Sequence, residues 1–269
     1  MNVPRVHFVP ACLTNPTNPI SLNLIGAGGT GSHLLDALAR INFVLTSLGK
    51  AGIQVNVFDN DKVEIPNLGR SAFNENYVGV NKAVAIVNKV NRGYGTNWKA
   101  IPKSYSAKQL GSISQNRKAN ITISCVDTVS SRMEIAKVLH EISTDKTMSP
   151  HHRDRPMYHM DFGNSKNTGQ VILSTIGQIT QPKSQKFKAI DYLPVVTEEF
   201  ADLLISSEET DNTPSCSLYD ALNKQDLFIN PSLASLGGKL VYSLLSQNLI
   251  FDSGFFLNLE NFQCEAIKV

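Results

Sequence analysis

Four glycines within six positions, Gly26, Gly28, Gly29 and Gly31, follow a short apolar run at residues 22–25 and precede a helical pattern beginning at Ser32. No other feature constrains this chain as tightly. The run, broken only by Asn23, is compatible with a strand largely buried in a parallel sheet. Leu34, Leu35, Leu38 and Ile41 fall on one face of the helix after it. Between strand and helix, residues without a Cβ let the backbone turn sharply and approach an anion, at which a helix N-terminus points its free N–H groups. Four such residues are more than tight strand–helix packing alone requires. A second strand is predicted over residues 53–58, and Asp59 at its end is placed to accept hydrogen bonds from a ribose hydroxyl. The pattern is that of a nucleotide site.

The spacing of Gly26, Gly28 and Gly31 also satisfies the dinucleotide fingerprint, which does not by itself select a cofactor. The residues beyond Asp59 narrow the choice. Asp61, Val63, Asn67 and Arg70 come next, and Val80-Asn81-Lys82 then opens a helix carrying Ala83, Ile86, Val87 and Val90. Hydride transfer has no need of an arginine and a lysine converging on a pyrophosphate. Nucleotidyl transfer does, because negative charge builds on the α-phosphate and on the leaving pyrophosphate. A cation such as Lys82 is unfavourable at a helix N-terminus, so its position there suggests that an anionic ligand offsets the cost. Residues 121–125 read as a further strand, with Asp127 just past its end, at the carboxyl edge where open α/β sheets bind ligands. Thr128 and Ser130 are candidate caps for the next helix.

The segments GAGGTGS, DNDKVEIPNLGR, VGVNKA and SCVDTVSSR, in this order, resemble the adenylation domain of the ThiF/MoeB/ubiquitin-activating (E1-like) superfamily. The whole pattern is most similar to ThiF-family proteins of bacterial PRTRC gene systems. The resemblance runs from residue 20 to about residue 132, and more loosely to 171 and the Cys216 region. It implies an α/β, Rossmann-like fold with a mostly parallel central sheet flanked by helices. It also implies ATP-dependent adenylation of the C-terminal carboxylate of a ubiquitin-like protein, an E2-like conjugating partner and a homodimer. Residue by residue, Gly26, Gly28, Gly29, Gly31, Asp59 and Asp61 would bind the nucleotide. Asn67 and Arg70 match the Asn-x-x-Arg that holds and stabilises the phosphates, with Lys82 as the second cation. Asp127 matches the acid that holds Mg²⁺, a hard cation suited to oxygen ligands. Ser71 stands where relatives usually carry glutamine. Thr-Pro-Ser-Cys-Ser resembles the Pro-x-Cys-Thr setting of a thioester-forming cysteine, which places Cys216 beside Arg70, Lys82 and Asp127 as a catalytic candidate. A helix start would lower its thiol pKa, whereas a buried apolar cysteine at the same position remains the alternative. Arg5 could reach a partner's nucleotide, but reads better as a solvated residue, and Arg132 reads as structural.

At 269 residues, 42% hydrophobic and 18% charged, the chain fits one large globular α/β domain. It divides into an extended arm (1–19), an ATP-binding core (20–176), a crossover segment with the candidate cysteine (177–216), and closing helices and strands of the same domain (217–269). Within these, a turn is predicted at 92–95, strands at 98–101, 157–162 and 170–176, a helix at 232–247, and two strands within 254–269. A net charge of +2 is too small to argue for nucleic acid or an anionic membrane as partner, and neither is expected. No apolar run approaches the roughly 20 residues of a membrane helix, and the N-terminus lacks a signal peptide's apolar core. A cytoplasmic location is expected. Cys12, Cys125, Cys216 and Cys264 form no C-x-x-C pair, so no structural zinc of the usual form is expected. Two other functions fit the same fold. An NAD(P)-dependent oxidoreductase would leave Arg70, Lys82 and Asp127 without a shared purpose, and a non-catalytic nucleotide-binding module would dock a partner without turnover.

Overall fold

The computed structural model describes residues 3–106, 117–145, 148–149, 151–195 and 225–269. In chain order the first half comprises β1 (Arg5–Phe8), α1 (Ala11–Thr14), β2 (Ile20–Ile25), α2 (Gly29–Ser47), β3 (Ile53–Phe58), α3 (Lys82–Tyr94) and β4 (Lys99–Ile101). Then come β5 (Ile121–Ser124), α4 (Val129–Ser143), β6 (Tyr158–Asn164), β7 (Thr168–Thr175) and β8 (Lys188–Ala189). The chain closes with α5 (Ile229–Ser246), β9 (Leu249–Ile250), β10 (Asp252–Asn258) and β11 (Gln263–Lys268).

The central sheet has eight strands in the order β11-β10-β7-β6-β5-β2-β3-β4. From β6 to β4 every pairing is parallel, and β6, β7, β10 and β11 pair antiparallel. All six residues of β2 are buried, as expected of a central strand with helices over both faces. Adjacent strand residues point to opposite faces, and here they feed two apolar clusters. Leu24 and Val57 join the larger one, with Leu34, Leu35 and Leu38 of α2 and Leu233, Val241 and Leu244 of α5. Ile25 and Phe58 join the smaller one, with Ile135, Val138 and Leu139 of α4. Each fully buried leucine contributes about 1.5–3 kcal/mol relative to an exposed one. Asn23 interrupts β2 without penalty: its Nδ2 donates to the Arg117 carbonyl at 3.2 Å and its Oδ1 accepts from Asn56 at 3.1 Å.

Several expectations need correction. The first residues, expected as an extended arm, are packed into the fold. β1 is the middle strand of a separate three-stranded sheet, between β8 and β9, with Val6 and His7 fully buried. His7 is held at both ring nitrogens, by the Ile190 carbonyl at 2.7 Å and the Tyr158 hydroxyl at 2.6 Å. Burial lowers its pKa, which favours the neutral ring. Arg5 remains exposed. Residues 92–94 continue α3 rather than turning, and Gly95, at φ +67°, is the left-handed cap that ends it. The C-terminal helix starts at Ile229, ahead of Ser232, because Pro231 sits in the first turn, where a missing N–H costs no helical bond. The first long helix likewise begins at Gly29 rather than Ser32. Thr128 caps α4 by accepting from the Ser131 N–H, and Ser130 does not. The strand pair β6–β7 and the closing pair β10–β11 form as predicted. Cys216 and the rest of the crossover segment beyond residue 195 lie outside the described residues. Among the described residues no helix is long and apolar enough to cross a membrane.

Candidate functional site

The register of the sheet builds the site. Ile25 is level with Phe58 on one side and with Ser124 on the other, so the chain leaves β2, β3 and β5 at one height. Gly26, Asp59 and Cys125 therefore emerge side by side at the carboxyl edge, where open α/β sheets bind their ligands. A cleft of about 370 Å³ opens there, and Gly26, Gly28, Gly29, Asp59, Asp61, Asn67, Arg70, Lys82 and Asp127 all line it.

The glycines divide by role. Gly26 has φ +89°, and a Cβ on it would lie 2.5 Å from the Cys125 carbonyl oxygen. A Cβ on Gly28 would meet nothing within 4 Å, so at Gly28 the backbone faces open space. Gly31, predicted as a nucleotide contact, does not line the cleft. A Cβ there would overlap the Gly26 carbonyl oxygen, and its smallness serves the packing of α2 against the turn.

Asp59 holds the turn as well as facing the cleft. One carboxylate oxygen accepts from the Ala27 N–H at 2.7 Å and the other from the Asp61 N–H at 2.9 Å. Burial pushes its pKa up, and those two backbone bonds oppose the shift. Lys82 opens α3 with its side chain mostly buried, and its ammonium lies 3.1 Å from the Asp61 carboxylate. The cost of a cation at the helix N-terminus is thus met by Asp61 within this chain. Asn67 uses its side-chain oxygen inside its own 3-10 turn, accepting from the Glu64 N–H at 2.9 Å. Ser71, in the place of the usual glutamine, donates to the Asn67 carbonyl at 2.6 Å. Arg70 is half-buried, and its guanidinium donates to the neutral Gln225 side chain at 3.3 Å. Asp127 is exposed and makes no hydrogen bond or ion pair among the described residues.

Beneath Asp127 lies a buried polar cluster. Arg132 pairs with Asp161 and donates to the carbonyls of Val126 at 2.7 Å and Phe162 at 3.0 Å. Its structural reading therefore agrees with its surroundings: it ties the end of β5 to β6. Ser124 Oγ donates to Asp161 at 2.6 Å, so the proton in its 2.9 Å contact with His159 Nε2 comes from the histidine. Burial lowers the His159 pKa, in keeping with that neutral tautomer. The same burial pushes the Cys125 thiol up, away from the reactive thiolate.

The far wall escaped the sequence. Asn164 at the tip of β6, Gln225 and Asn230 of α5 all line the cleft. Nothing local marks them, since each is a polar residue beside an apolar pattern and only the closure of the sheet brings them to Arg70.

The sequence profile of the ThiF family matches residues 18–238. Ubiquitin-like modifier-activating enzyme 5 of Aedes aegypti is 29% identical over 134 residues, which are 46% of this chain and 32% of that protein. The enzyme of the same name from Culex quinquefasciatus is similar over the same extent. The matched stretch thus spans about a third of these curated relatives. Among solved structures, E. coli MccB superposes with a TM-score of 0.59 at 16% identity, over 95% of this chain and 63% of MccB. PaaA superposes with a TM-score of 0.54 at 13% identity, over 93% of this chain and 64% of PaaA. These likenesses establish the Rossmann-like α/β fold. MccB has itself been crystallised with ATP, and with AMPCPP together with MccA.

Proposed function

The chain belongs to the ThiF family, and from that premise we propose that it is an ATP-dependent adenylating enzyme whose substrate is a C-terminal carboxylate. One observation carries the reading. A single cleft unites an open glycine turn at a helix N-terminus, a carboxylate at the end of β3, two cations and an acid unpaired among the described residues. The finer proposal is that the carboxylate belongs to a ubiquitin-like protein, supported by the sequence resemblance and by the name of the Aedes relative.

In the proposed reaction the substrate carboxylate attacks the α-phosphorus of ATP. The bond to the β-phosphate breaks, and an acyl-adenylate and pyrophosphate form. A carboxylate is already ionised at neutral pH, so the site has to position and to stabilise charge rather than to move a proton. Gly28 lets the phosphates approach the start of α2, whose free N–H groups favour an anion. Asp59 offers its remaining lone pairs to the ribose. Arg70 and Lys82 stabilise the charge that gathers on the α-phosphate and the departing pyrophosphate; one such donor is typically worth ~10²–10³ in rate. The carboxylate of Asp127 fits Mg²⁺, which commonly takes one or two carboxylates together with substrate phosphates and would neutralise phosphate charge here. We further propose that the Cys216 thiolate then attacks the acyl carbon, releasing AMP and leaving a thioester for an E2-like partner. Its Pro-x-Cys setting is the support for this step, and a homodimer is proposed on the same resemblance.

ATP–pyrophosphate exchange, with and without a candidate ubiquitin-like protein, tests the proposal. Exchange that requires the partner, vanishes in Asp127→Ala and survives in Cys216→Ala is the expected result. Absence of exchange with every cognate partner overturns it. ATP binding alone would then point to a docking module, and preference for NAD to an oxidoreductase.

A further inference from the structure

One side chain in the cleft fills its whole hydrogen-bonding capacity without touching the nucleotide in the proposed reaction. Asn230, the second residue of α5, is 1% exposed. Its Oδ1 accepts from Thr30 Oγ1 at 2.8 Å and from Asn164 Nδ2 at 2.8 Å. Its Nδ2 donates to the Arg70 carbonyl at 3.3 Å and to Gln225 Oε1 at 3.3 Å. A carboxamide has two acceptor sites and two donors, and all four are used. Gln225 Oε1 in turn receives the Arg70 guanidinium at 3.3 Å. The partners come from the start of α2, the tip of β6, the Arg70 loop and the residues before α5. Gly29 makes the approach possible, because a Cβ there would lie 2.6 Å from Asn230 Nδ2.

We propose that Asn230 is a positioning residue for Arg70: it anchors the arginine's backbone directly and its guanidinium through Gln225, both relative to the glycine turn. The inference rests on the adenylation reading for its kinetic consequence, but not for its geometry. Arg70 follows a 3-10 turn in a loop and has a long, rotamer-rich side chain, so its own segment does not determine where its charge lies. A displacement of about 1 Å at a charge-stabilising group can lower a rate about 10²-fold. Asn230 supplies the constraint from a helix 160 residues further along the chain. A purely structural Asn230, serving only to seat α5, would lower stability without acting through Arg70.

A double-mutant cycle on the full chain separates the two roles. In ATP–pyrophosphate exchange, Asn230→Ala is expected to lower kcat about tenfold or more while ATP affinity changes less than about threefold. Adding Arg70→Ala to Asn230→Ala is expected to cost far less than Arg70→Ala alone, because the arginine is already misplaced. Gln225→Ala, which cuts only the guanidinium link, provides the same cycle if Asn230→Ala folds poorly. Additive losses would overturn the proposal. A second readout is independent of turnover: modification of Arg70 by phenylglyoxal, followed by mass spectrometry, should be faster in Asn230→Ala and in Gln225→Ala than in the wild type. Unchanged reactivity in both folded variants would overturn the positioning role even in an active enzyme. Wild type without exchange would defeat the adenylation reading alone and leave the modification result to decide this one.

Discussion

Arg70 lines the cleft, Arg132 is bonded to the carbonyls of Val126 and Phe162 behind its wall, and the two arginines are in opposite circumstances. Arg132 is 7% exposed, faces an Asp161 that is 1% exposed, and closes on two backbone carbonyls. Arg70 is half-buried, and its guanidinium partner is a neutral amide. A buried charge must be paired or the fold bears the cost, and Arg132 is paired. A charge proposed to meet a ligand must keep its field available, and the neutral Gln225 amide bonds Arg70 without neutralising it. Between these two arginines, burial and the sign of the partner, rather than residue type, separate the one that holds the scaffold from the one proposed to meet a phosphate.

The largest effect should come from breaking the buried pair. Arg132→Ala or Asp161→Ala leaves an uncompensated charge and is expected to cost about 3–5 kcal/mol in urea unfolding. Replacing both with apolar residues of similar volume should recover much of it, and single variants as stable as wild type would dissolve the contrast. Arg70→Ala should do the reverse. Its exchange rate is expected to fall ~10²–10³-fold, about 2.7–4 kcal/mol of barrier, while the urea midpoint shifts much less than in Arg132→Ala, because only one side-chain hydrogen bond to a neutral amide is lost. A stability loss as large as that of Arg132→Ala would mean that both arginines serve the fold.

The glycines offer a smaller version of the same comparison. Gly31→Ala forces a methyl group onto the Gly26 carbonyl and should destabilise by about 1–3 kcal/mol, the usual cost of overpacking. Gly28→Ala meets no neighbour, so its melting temperature should stay near wild type while ATP affinity measured by calorimetry falls. Equal melting temperatures for the two variants would show that the turn relaxes. The smallest effect is in pH dependence. The pKa of Asp59 is raised in the folded chain by burial. Its ionised form therefore disfavours folding at neutral pH, and this cost is relieved as pH falls through the folded pKa toward the ordinary carboxylate value. A ribose hydroxyl needs the ionised acceptor, so nucleotide affinity should weaken on acidification at a higher pH than an ordinary aspartate would produce. Asp59→Asn should flatten that profile in a titration from neutral pH down to the ordinary carboxylate range.

Much of one wall of the cleft was legible. The glycine turn, the strand ending at Asp59, Asn81 and Lys82 opening α3, and Asp127 past β5 are each set by neighbours a few residues away, and they fell where the pattern put them. The N-terminal residues were misjudged because Val6 and His7 are buried by β8, β9 and Tyr158, none of which lies near them in sequence. The polar unit of Ser124, Arg132, His159 and Asp161 was legible only as separate residues, since it forms where two parallel strands and a helix meet.

The sequence alone determined the turn, the strands that frame it and the charged residues presented at their ends, because backbone sterics, side-chain period and helix capping act over one to four residues. Which arginine is neutralised, which glycine is packed and which is open, and that Asn230 reaches Arg70 were decided by the tertiary structure. Those outcomes depend on what closure of the sheet brings within hydrogen-bonding distance, and desolvation then assigns each charge its partner.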